Sequence, residues 1–500
     1  MKLAELLQDL PSPILKIKGT THRKITRILS SFSYDFDEQG SFPKDNNILF
    51  VHLGPLLEQH ILDYQNHHVN VLVVDRDVEM PSDVTVIRVM NTFETLGLLA
   101  GRLFDHPSRH LTLVGVTGTN GKTTTTHLIE NILKAAGKKT ALFGTLQYRL
   151  GASPTADAAS DPHHLTTPLP EVFNKMLVEA RQKGISHVVM EVSSQSLREH
   201  RLKGCNFDVA VFTNLSREHQ DYHLDMHDYT ESKLRLFTEI LPASNKSKRT
   251  AVLNLSDAKV KLLSKRLDTK RIDVLGFAKA SSKNPLQKVE AGAVKISEDG
   301  IRATVKTPKG VVQVNSPLLG SFNFQNILAA ISATLALDIP IGVIERGIKK
   351  TTRIPGRLER IPNDLGIKTY FDWAHTEQAF AETLKTLKQW KGKGKLRVLF
   401  GCEDNMDAEK RKRLAFQAGK FGNALYISLE NLIPEEAAFV KKQMEMGLKK
   451  TRASRLYFSD PMQALKRCLK DCKKGDTAVA IGWEVEHVAK AKKWLRDFRK

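Results

Sequence analysis

The fold class that the sequence predicts is α/β, in three domains at about residues 1–108, 109–337 and 338–500. Three observations predict it. The chain has 500 residues, and domains run to roughly 100–200 residues each. From residue 111 the short apolar runs LTLVGV, HVVMEV, VAVFTN and AVLNL alternate with amphipathic or Ala/Leu-rich stretches, the rhythm of buried parallel strands joined by helices. After a break at Asp338-Ile-Pro-Ile-Gly342 the same rhythm returns in RVLFGC, ALYISL and TAVAIGW, which marks a second α/β unit.

Taken in order, the first hundred residues offer ILFVHL and VNVLVVDRD as strands, in a small N-terminal α/β domain. The central domain reads as a mostly parallel sheet that ends in hairpins over VKISEDGIRATVKTPKGVVQVNSPLLG, followed by a helix from FNFQNILAAISATLAL. In the last domain IPEEAAFVKKQMEMGLKK and PMQALKRCLKDCKK read as helices between strands. A hydrophobic content of 41% excludes disordered and fibrous classes. No apolar run approaches the roughly 18 residues of a membrane span, and Glu5 and Asp9 interrupt the N-terminal apolar run, so a cytoplasmic chain without membrane insertion is expected. Four cysteines, two of them one helical turn apart in CLKDC, argue against a zinc site or a disulfide frame. The 76 Lys and Arg against 55 Asp and Glu give +21; the partner is then nucleic acid, a nucleotide, a phosphorylated substrate or an acidic membrane surface, or the excess is solvated lysine.

The strongest local signal is LTLVGVTGTNGKTTTTHLIENILKAAG: a buried strand, a loop with Gly115, Gly118 and Gly121, and a helix opened by Lys122 and Thr123. Glycines let backbone N–H groups approach a polyphosphate, and the helix N-terminus adds partial positive charge. Lys122 can then reach the β and γ phosphates, and the Thr123 hydroxyl can hold Mg²⁺. Val116 stands where the strict G-x-x-x-x-G-K-T spacing has glycine. Two later strands end in polar clusters, Glu191 with Ser193 and Asn214 with Glu218 and His219, at the edge where ligands of open α/β sheets collect. On residue chemistry alone, Lys233 reads as a helix-surface lysine.

Together VGVTGTNGKTTTT, LTTP (165–168), MEVSSQSLREHR, FDVAVFTNLSREHQDYH, SKLRLF, LLGSFNFQNILAA, PGRLER and DWAHT resemble the Mur ligase family. The nearest type adds the third amino acid to UDP-N-acetylmuramoyl-L-alanyl-D-glutamate. The resemblance implies an N-terminal uridine-nucleotide-binding domain, a central P-loop-type ATPase domain and a C-terminal Rossmann-like domain for the amino acid, in a monomer. It implies an acyl phosphate, formed when a substrate carboxylate attacks ATP and captured by an amine. Lys122, Glu191, His219 and Lys233 are then catalytic, and Thr123, Glu191, His219 and a carbamoylated Lys233 hold two Mg²⁺ ions. Gly118, Thr119, Asn120, Gly121 and Thr124 join Lys122 and Thr123 on the ATP phosphates, with Asn323, Asn326, Arg357, Asp372 and His375 completing the ATP set. Thr166, Thr167, Ser193 and Arg201 match positions on the muramoyl peptide, as does Glu199, where the family has glutamine.

The departures fall in the substrate-recognition parts. ITRILSSFSYDFDEQG replaces an Asp-Ser-Arg stretch by the uridine pocket. Glu430, Asn431, Leu432 and Ile433 align with DNPR of the diaminopimelate enzymes, Met406 aligns with a second arginine, and GKGHE becomes GWEVE, keeping Gly482 and Glu486. The amino acid added is therefore diaminopimelate or another. The alternatives are a diverged paralogue acting on a different acid and amine, a folylpolyglutamate-synthase-like ligase, and a non-catalytic basic protein that binds nucleic acid or an acidic partner.

Overall fold

The computed structural model describes residues 1–32, 48–54, 64, 69–154, 165–219, 222–279, 284–401, 407–430, 432–483 and 485–497. The first unit is a five-stranded sheet of β1 (Ile14–Lys18), β2 (Arg27–Ser30), β3 (Ile48–Val51), β4 (Val71–Val74) and β5 (Thr85–Val89), in the order β1-β5-β4-β3-β2. Strands β2 to β5 run parallel and β1 closes one edge antiparallel. The runs ILFV and VLVV are buried at every position, as strands covered on both faces must be.

The central sheet has eleven strands. In chain order these are β6 (Thr112–Thr117), β7 (Thr140–Gly144), β8 (Gln147–Leu150), β9 (Ser153–Pro154), β10 (His187–Glu191), β11 (Val209–Phe212), β12 (Thr250–Asn254), β13 (Asp273–Ala278), β14 (Gln287–Ser297), β15 (Gly300–Thr307) and β16 (Gly310–Ser316). They pair in the order β16-β15-β14-β13-β12-β11-β6-β10-β7-β8-β9. The expected hairpins are β14 to β16, antiparallel. Strand β6 lies between β10 and β11, parallel to both. The chain fans out on both sides of it, so a crevice opens at its C-terminal end.

One face of this sheet carries the helices Lys122–Ala135 and Ser321–Ala336. The second has no charged residue along its length, and it is buried almost throughout. The expected domain boundary after residue 337 cuts through this layer. Ile344, Ile348 and Ile354 pack in the same cluster as Ile132 and Ile331, so the central core runs on through the helix Ile341–Lys350. Pro340 and Asp338 turn the chain between two helices of one domain; they do not separate two domains.

The last unit is a six-stranded sheet of β17 (Glu359–Ile361), β18 (Lys368–Asp372), β19 (Leu396–Gly401), β20 (Ala424–Ser428), β21 (Ser454–Phe458) and β22 (Thr477–Ile481), ordered β17-β18-β22-β19-β20-β21. All but β17 run parallel, with an apolar cluster on each face. Among the described residues no helix is long and apolar enough to cross a membrane.

A Cβ on Gly347 would lie 2.5 Å from the Ile132 Cα, a backbone atom that cannot swing aside. Gly347→Val is therefore expected to lower the free energy of unfolding by about 1–3 kcal/mol, read from the midpoint of urea unfolding. An unchanged midpoint would detach the helix Ile341–Lys350 from the central core.

Candidate functional site

The loop between β6 and the helix Lys122–Ala135 is shaped by two glycines with positive φ, Gly118 at 141° and Gly121 at 87°. Side chains are excluded at both. A Cβ on Gly118 would meet Thr213 Oγ1 at 2.0 Å, and one on Gly121 would meet Asn326 Oδ1 at 2.2 Å. The loop is thus clamped between the end of β11 and the helix Ser321–Ala336. Asn214 holds it by accepting from the Asn120 N–H at 3.0 Å and donating Nδ2 to the Asn120 carbonyl at 2.9 Å. Thr119 Oγ1 bonds Tyr229 OH at 3.0 Å and accepts from the Ser216 N–H at 2.9 Å.

A cleft of about 770 Å³ opens above this loop. Its floor is the loop and first helical turn, Thr119 to Thr124; Glu191, His219 and Lys233 form one wall, and Arg357, Asp372 and His375 face them from the last unit. Lys122 Nζ donates to the carbonyls of Gly118 and Thr119, each at 3.0 Å. Burial lowers its pKa, with Glu191 pulling it back up and Arg357 pushing it further down. Lys233 is not the surface lysine that its residue chemistry suggests. It is 1% exposed, its Nζ donates to the same Gly118 carbonyl at 3.0 Å, and the Tyr229 ring lies 4.6 Å beneath it. Burial first, then the Lys122 charge, hold its pKa well below that of a free lysine. His219 is pushed down to about 3 by burial and then by Lys122 and Lys233, so the imidazole is neutral and able to ligate.

Glu191, 1% exposed, accepts from the N–H and Oγ1 of Thr145, both at 3.1 Å. Thr145 Oγ1 in turn meets Thr166 Oγ1 at 3.1 Å, and Thr166 and Ser193 line the cleft. Thr167 stands behind them, taking the Ser193 N–H on its hydroxyl at 3.0 Å. Glu199 and Arg201 sit off the cleft wall and are tied to each other, Arg201 Nε to Glu199 Oε2 at 2.7 Å, with Tyr222 OH on the other carboxylate oxygen at 2.5 Å. The Glu199 charge is therefore met within the protein. Of the ATP set, Asn326 lines the cleft, whereas Asn323 is fully buried and positions it, accepting Asn326 Nδ2 at 3.0 Å. Gly482 reaches the cleft. Glu430 does not; it pairs with His487 at 3.1 Å. Asn431, Met406 and the side chain of Glu486 fall outside the described residues.

At the cleft, three contacts cross from the last unit to the central one: Arg357 Nη2 donates to Thr123 Oγ1 at 2.9 Å, Thr376 Oγ1 to Asn120 Oδ1 at 3.1 Å, and Lys410 Nζ to Glu218 Oε1 at 2.8 Å; away from it, Lys368 Nζ donates to Glu298 Oε1 at 2.7 Å. The Lys410 bridge and a buried relay were not legible in the sequence as pairs. In the relay, Ser194 Oγ lies 3.0 Å from His223 Nε2, whose Nδ1 lies 3.2 Å from Asp228 Oδ2. It latches the turn after Glu191 to the segment after His219; the five-residue spacing in HLDMHD was its only signal.

The residues fit a nucleotide. Arg357 Nε is buried in the cleft with no hydrogen-bond partner, and the loop geometry leaves backbone, not side chains, to face phosphate. Among the described residues no three His, Cys, Asp or Glu side chains gather as a ready metal cage. Thr123 Oγ1 and the Glu191 carboxylate, beside a phosphate floor, suit Mg²⁺, which binds through one or two carboxylates plus substrate phosphates.

Fold and cleft define a phosphate-loop enzyme that works between two domains. Residues 116–334 match the Mur ligase middle domain and residues 356–483 the glutamate ligase domain of Mur ligases. A Geobacter metallireducens protein named UDP-N-acetylmuramoyl-L-alanyl-D-glutamate--2,6-diaminopimelate ligase is 38% identical over 379 residues, 76% of this chain and 71% of the relative. A Bacillus velezensis protein of the same name is 32% identical over 405 residues, 81% and 79% of the two chains. A solved structure with that name superposes with a TM-score of 0.66 at 23% identity, covering 96% of this chain and 93% of the other. Mycobacterium tuberculosis folylpolyglutamate synthase, solved with ADP and AMPPCP, gives 0.63 at 16% identity over 82% of this chain and 95% of its own. The chain belongs to the Mur ligase family, and it is an ATP-dependent ligase.

Burial raises the Asp372 carboxyl from 3.8 to about 6, against the Thr383 hydroxyl, the Arg357 charge and the Ala374 N–H, which pull it down. A carboxyl raised in the folded state contributes stability below its unfolded pKa, and that contribution is lost as pH rises to the folded one. Asp372→Asn should therefore gain on the parent between about pH 4 and pH 7, by on the order of 3 kcal/mol. Urea unfolding across that range checks it; parallel curves for the two proteins would refute it.

Proposed function

We propose that the chain joins an amino acid to the D-glutamate carboxylate of UDP-N-acetylmuramoyl-L-alanyl-D-glutamate at the expense of ATP, in the cytoplasm, as a step of peptidoglycan precursor synthesis. The observation that carries the reading is the convergence of Lys122, Lys233, Glu191 and His219 on one phosphate floor with Arg357 reaching over it. Lys122 and the N–H groups of residues 119–124 would hold the β and γ phosphates, and Arg357 would offer them its unpartnered Nε. As the substrate carboxylate attacks the γ-phosphorus and ADP departs, these cations meet the charge that spreads over the transferring group; the amine of the amino acid then attacks the acyl carbon, releasing phosphate and a proton. Asn326 and Asp372 serve the nucleoside end, and His375 stands at the mouth.

The buried amine of Lys233, its pKa held down by burial and the Lys122 charge, is suited to add CO₂ in its neutral form, losing a proton to give an anionic carbamate. Thr123, Glu191, His219 and that carbamate are then the groups that hold Mg²⁺, whose chemistry is to draw charge from the phosphates and the acyl oxygen. Thr166 and Ser193 take the peptide carboxylate, with Thr167 fixing Ser193. Glu199 and Arg201 support that wall from behind as a pair, while Gly482 borders the space left for the amine.

One observation favours an amino acid other than diaminopimelate. Glu430, at the position that aligns with the start of DNPR, is paired with His487, and the arginine that would fork onto a distal carboxylate is replaced by Ile433. A carboxylate left without its cation weakens binding by about 2–5 kcal/mol.

Phosphate release from ATP with UDP-N-acetylmuramoyl-L-alanyl-D-glutamate and a panel of amino acids, meso-diaminopimelate and lysine included, tests the reading. Release requiring the acceptor and one amino acid is expected, falling at least about 100-fold in Lys233→Ala. Intact-mass analysis should show one carbamoyl group on the Lys233 peptide that acid removes. No release with any pair, from protein shown to bind ATP, would sink the proposal.

A further inference from the structure

The excess of positive charge is not spread evenly. Residues 356–500 hold 31 Lys and Arg against 19 Asp and Glu, and the topology of the last sheet decides where many of them go. The cleft takes residues that follow strands: Asp372 ends β18 and Gly482 follows β22. The loops that precede strands lie at the opposite edge, and they are lysine-rich. Lys393 and Lys395 lead into β19, Lys473 and Lys474 into β22, and Lys449 and Lys450 into the Ser454–Phe458 strand, all six exposed. Lys420 leads into β20 and is exposed as well.

Strands β22, β19, β20 and β21 are successive neighbours, so these loops form a continuous row roughly 15 Å long at about 4.8 Å per strand. Two of the loops are pressed together: a Cβ on Gly394 would meet the Gly475 carbonyl at 2.0 Å, which fixes Lys393 and Lys395 beside Lys473 and Lys474. The local acids are spent elsewhere. Asp476 is bound by Arg397 at 3.0 Å and by the Lys395 and Lys473 N–H groups, and Asp471 takes Arg467 and Tyr426. Among the described residues none of the seven lysines enters an ion pair. The row stops at β18, where Lys368 is paired with Glu298 and Asp364 is exposed.

A single cation at the end of each preceding helix would be enough to offset its dipole. Two in each of three loops, with Lys420 in the fourth, lie within about a Debye length, roughly 8 Å, of the next and repel one another, and that cost is relieved by an anionic surface. We propose that this edge is a docking surface for an anionic lipid bilayer. The lysines stand on loop tips at one edge of a sheet, where a plane of headgroups meets the whole row at once. Nucleic acid is usually read by a helix or ribbon entering a groove, or by aromatic faces on which bases stack; the aromatics of these loops, Trp390 and Phe421, are half-buried, and the Phe421 ring lies under Lys388 and Lys420. Met446, 41% exposed and one turn before Lys449, supplies an apolar side chain at the same edge. Docked this way, the chain lies on the bilayer without entering it, and its cleft faces the aqueous side.

Co-sedimentation of the full chain with phosphatidylcholine vesicles, with and without phosphatidylglycerol, tests this. Binding is expected only with phosphatidylglycerol, at low salt, and reversed by high salt. The triple variant Lys393→Ala, Lys395→Ala, Lys474→Ala should bind about 100-fold more weakly, from about fivefold per lysine, with ATP-dependent phosphate release unchanged. Lys259→Ala, Lys261→Ala, Lys265→Ala, three exposed lysines of the central domain, should change binding by less than about fivefold in total. Absence of binding to phosphatidylglycerol vesicles, or equal loss in the two triple variants, would overturn the proposal. So would tighter binding to duplex DNA or RNA through the same three lysines, which would reassign the edge to nucleic acid.

Discussion

The carbonyl oxygen of Gly118 accepts hydrogen bonds from two amines, Lys122 Nζ and Lys233 Nζ, and most of the site follows from that crowding. Two ammonium groups cannot share one acceptor in a buried pocket without strong repulsion. Each amine lowers the pKa of the other, and Lys233, which reaches the carbonyl through the core, is held the further below a free lysine. The carbonyl faces both amines because Gly118 has a backbone conformation that side chains rarely adopt, against Thr213 with no room for a methyl group. A glycine thus brings a lysine 115 positions away onto the phosphate loop.

The same loop is where the two larger units meet. Arg357, Thr376 and Lys410 each find a partner within the central domain, and two of the three partners, Thr123 and Asn120, belong to the phosphate loop or its helix. Closure and nucleotide binding therefore draw on the same atoms. Thr123 Oγ1 carries the Arg357 guanidinium in this structure, so a cation arriving with a nucleotide would compete with Arg357 for that oxygen.

Much of this was legible in the sequence. The strand–glycine–lysine–helix order at residues 112–135 is local, and local order survives folding. So was the parallel sheet, since VLVV and VAVF leave no polar face. The domain boundary was misread because Asp338 and Pro340 carry a genuine turn signal, and a turn within a domain looks the same as one between domains until Ile344, Ile348 and Ile354 are seen packed on Ile132. Lys233 was misread for a related reason. A lysine in MHDYTESKLR has polar neighbours in sequence, and only the third dimension puts Tyr229 and Gly118 around it. Glu199 and Arg201, two residues apart, could have been paired from the sequence; that their charges cancel off the cleft required the fold.

The packing of the helix Ile341–Lys350 has a mechanical meaning. Ile354 is anchored in the central core, and Arg357 follows three residues later. A rotation of the last unit about that anchor would move each of its atoms in proportion to its distance from it. Arg357, three residues from the pivot, would sweep a short arc and stay within reach of the phosphates, whereas Lys410, carried by the separate helix Ala408–Phe421, would part from Glu218. The two contacts would then report different things: the arginine that a nucleotide is bound, the lysine that the jaw has shut.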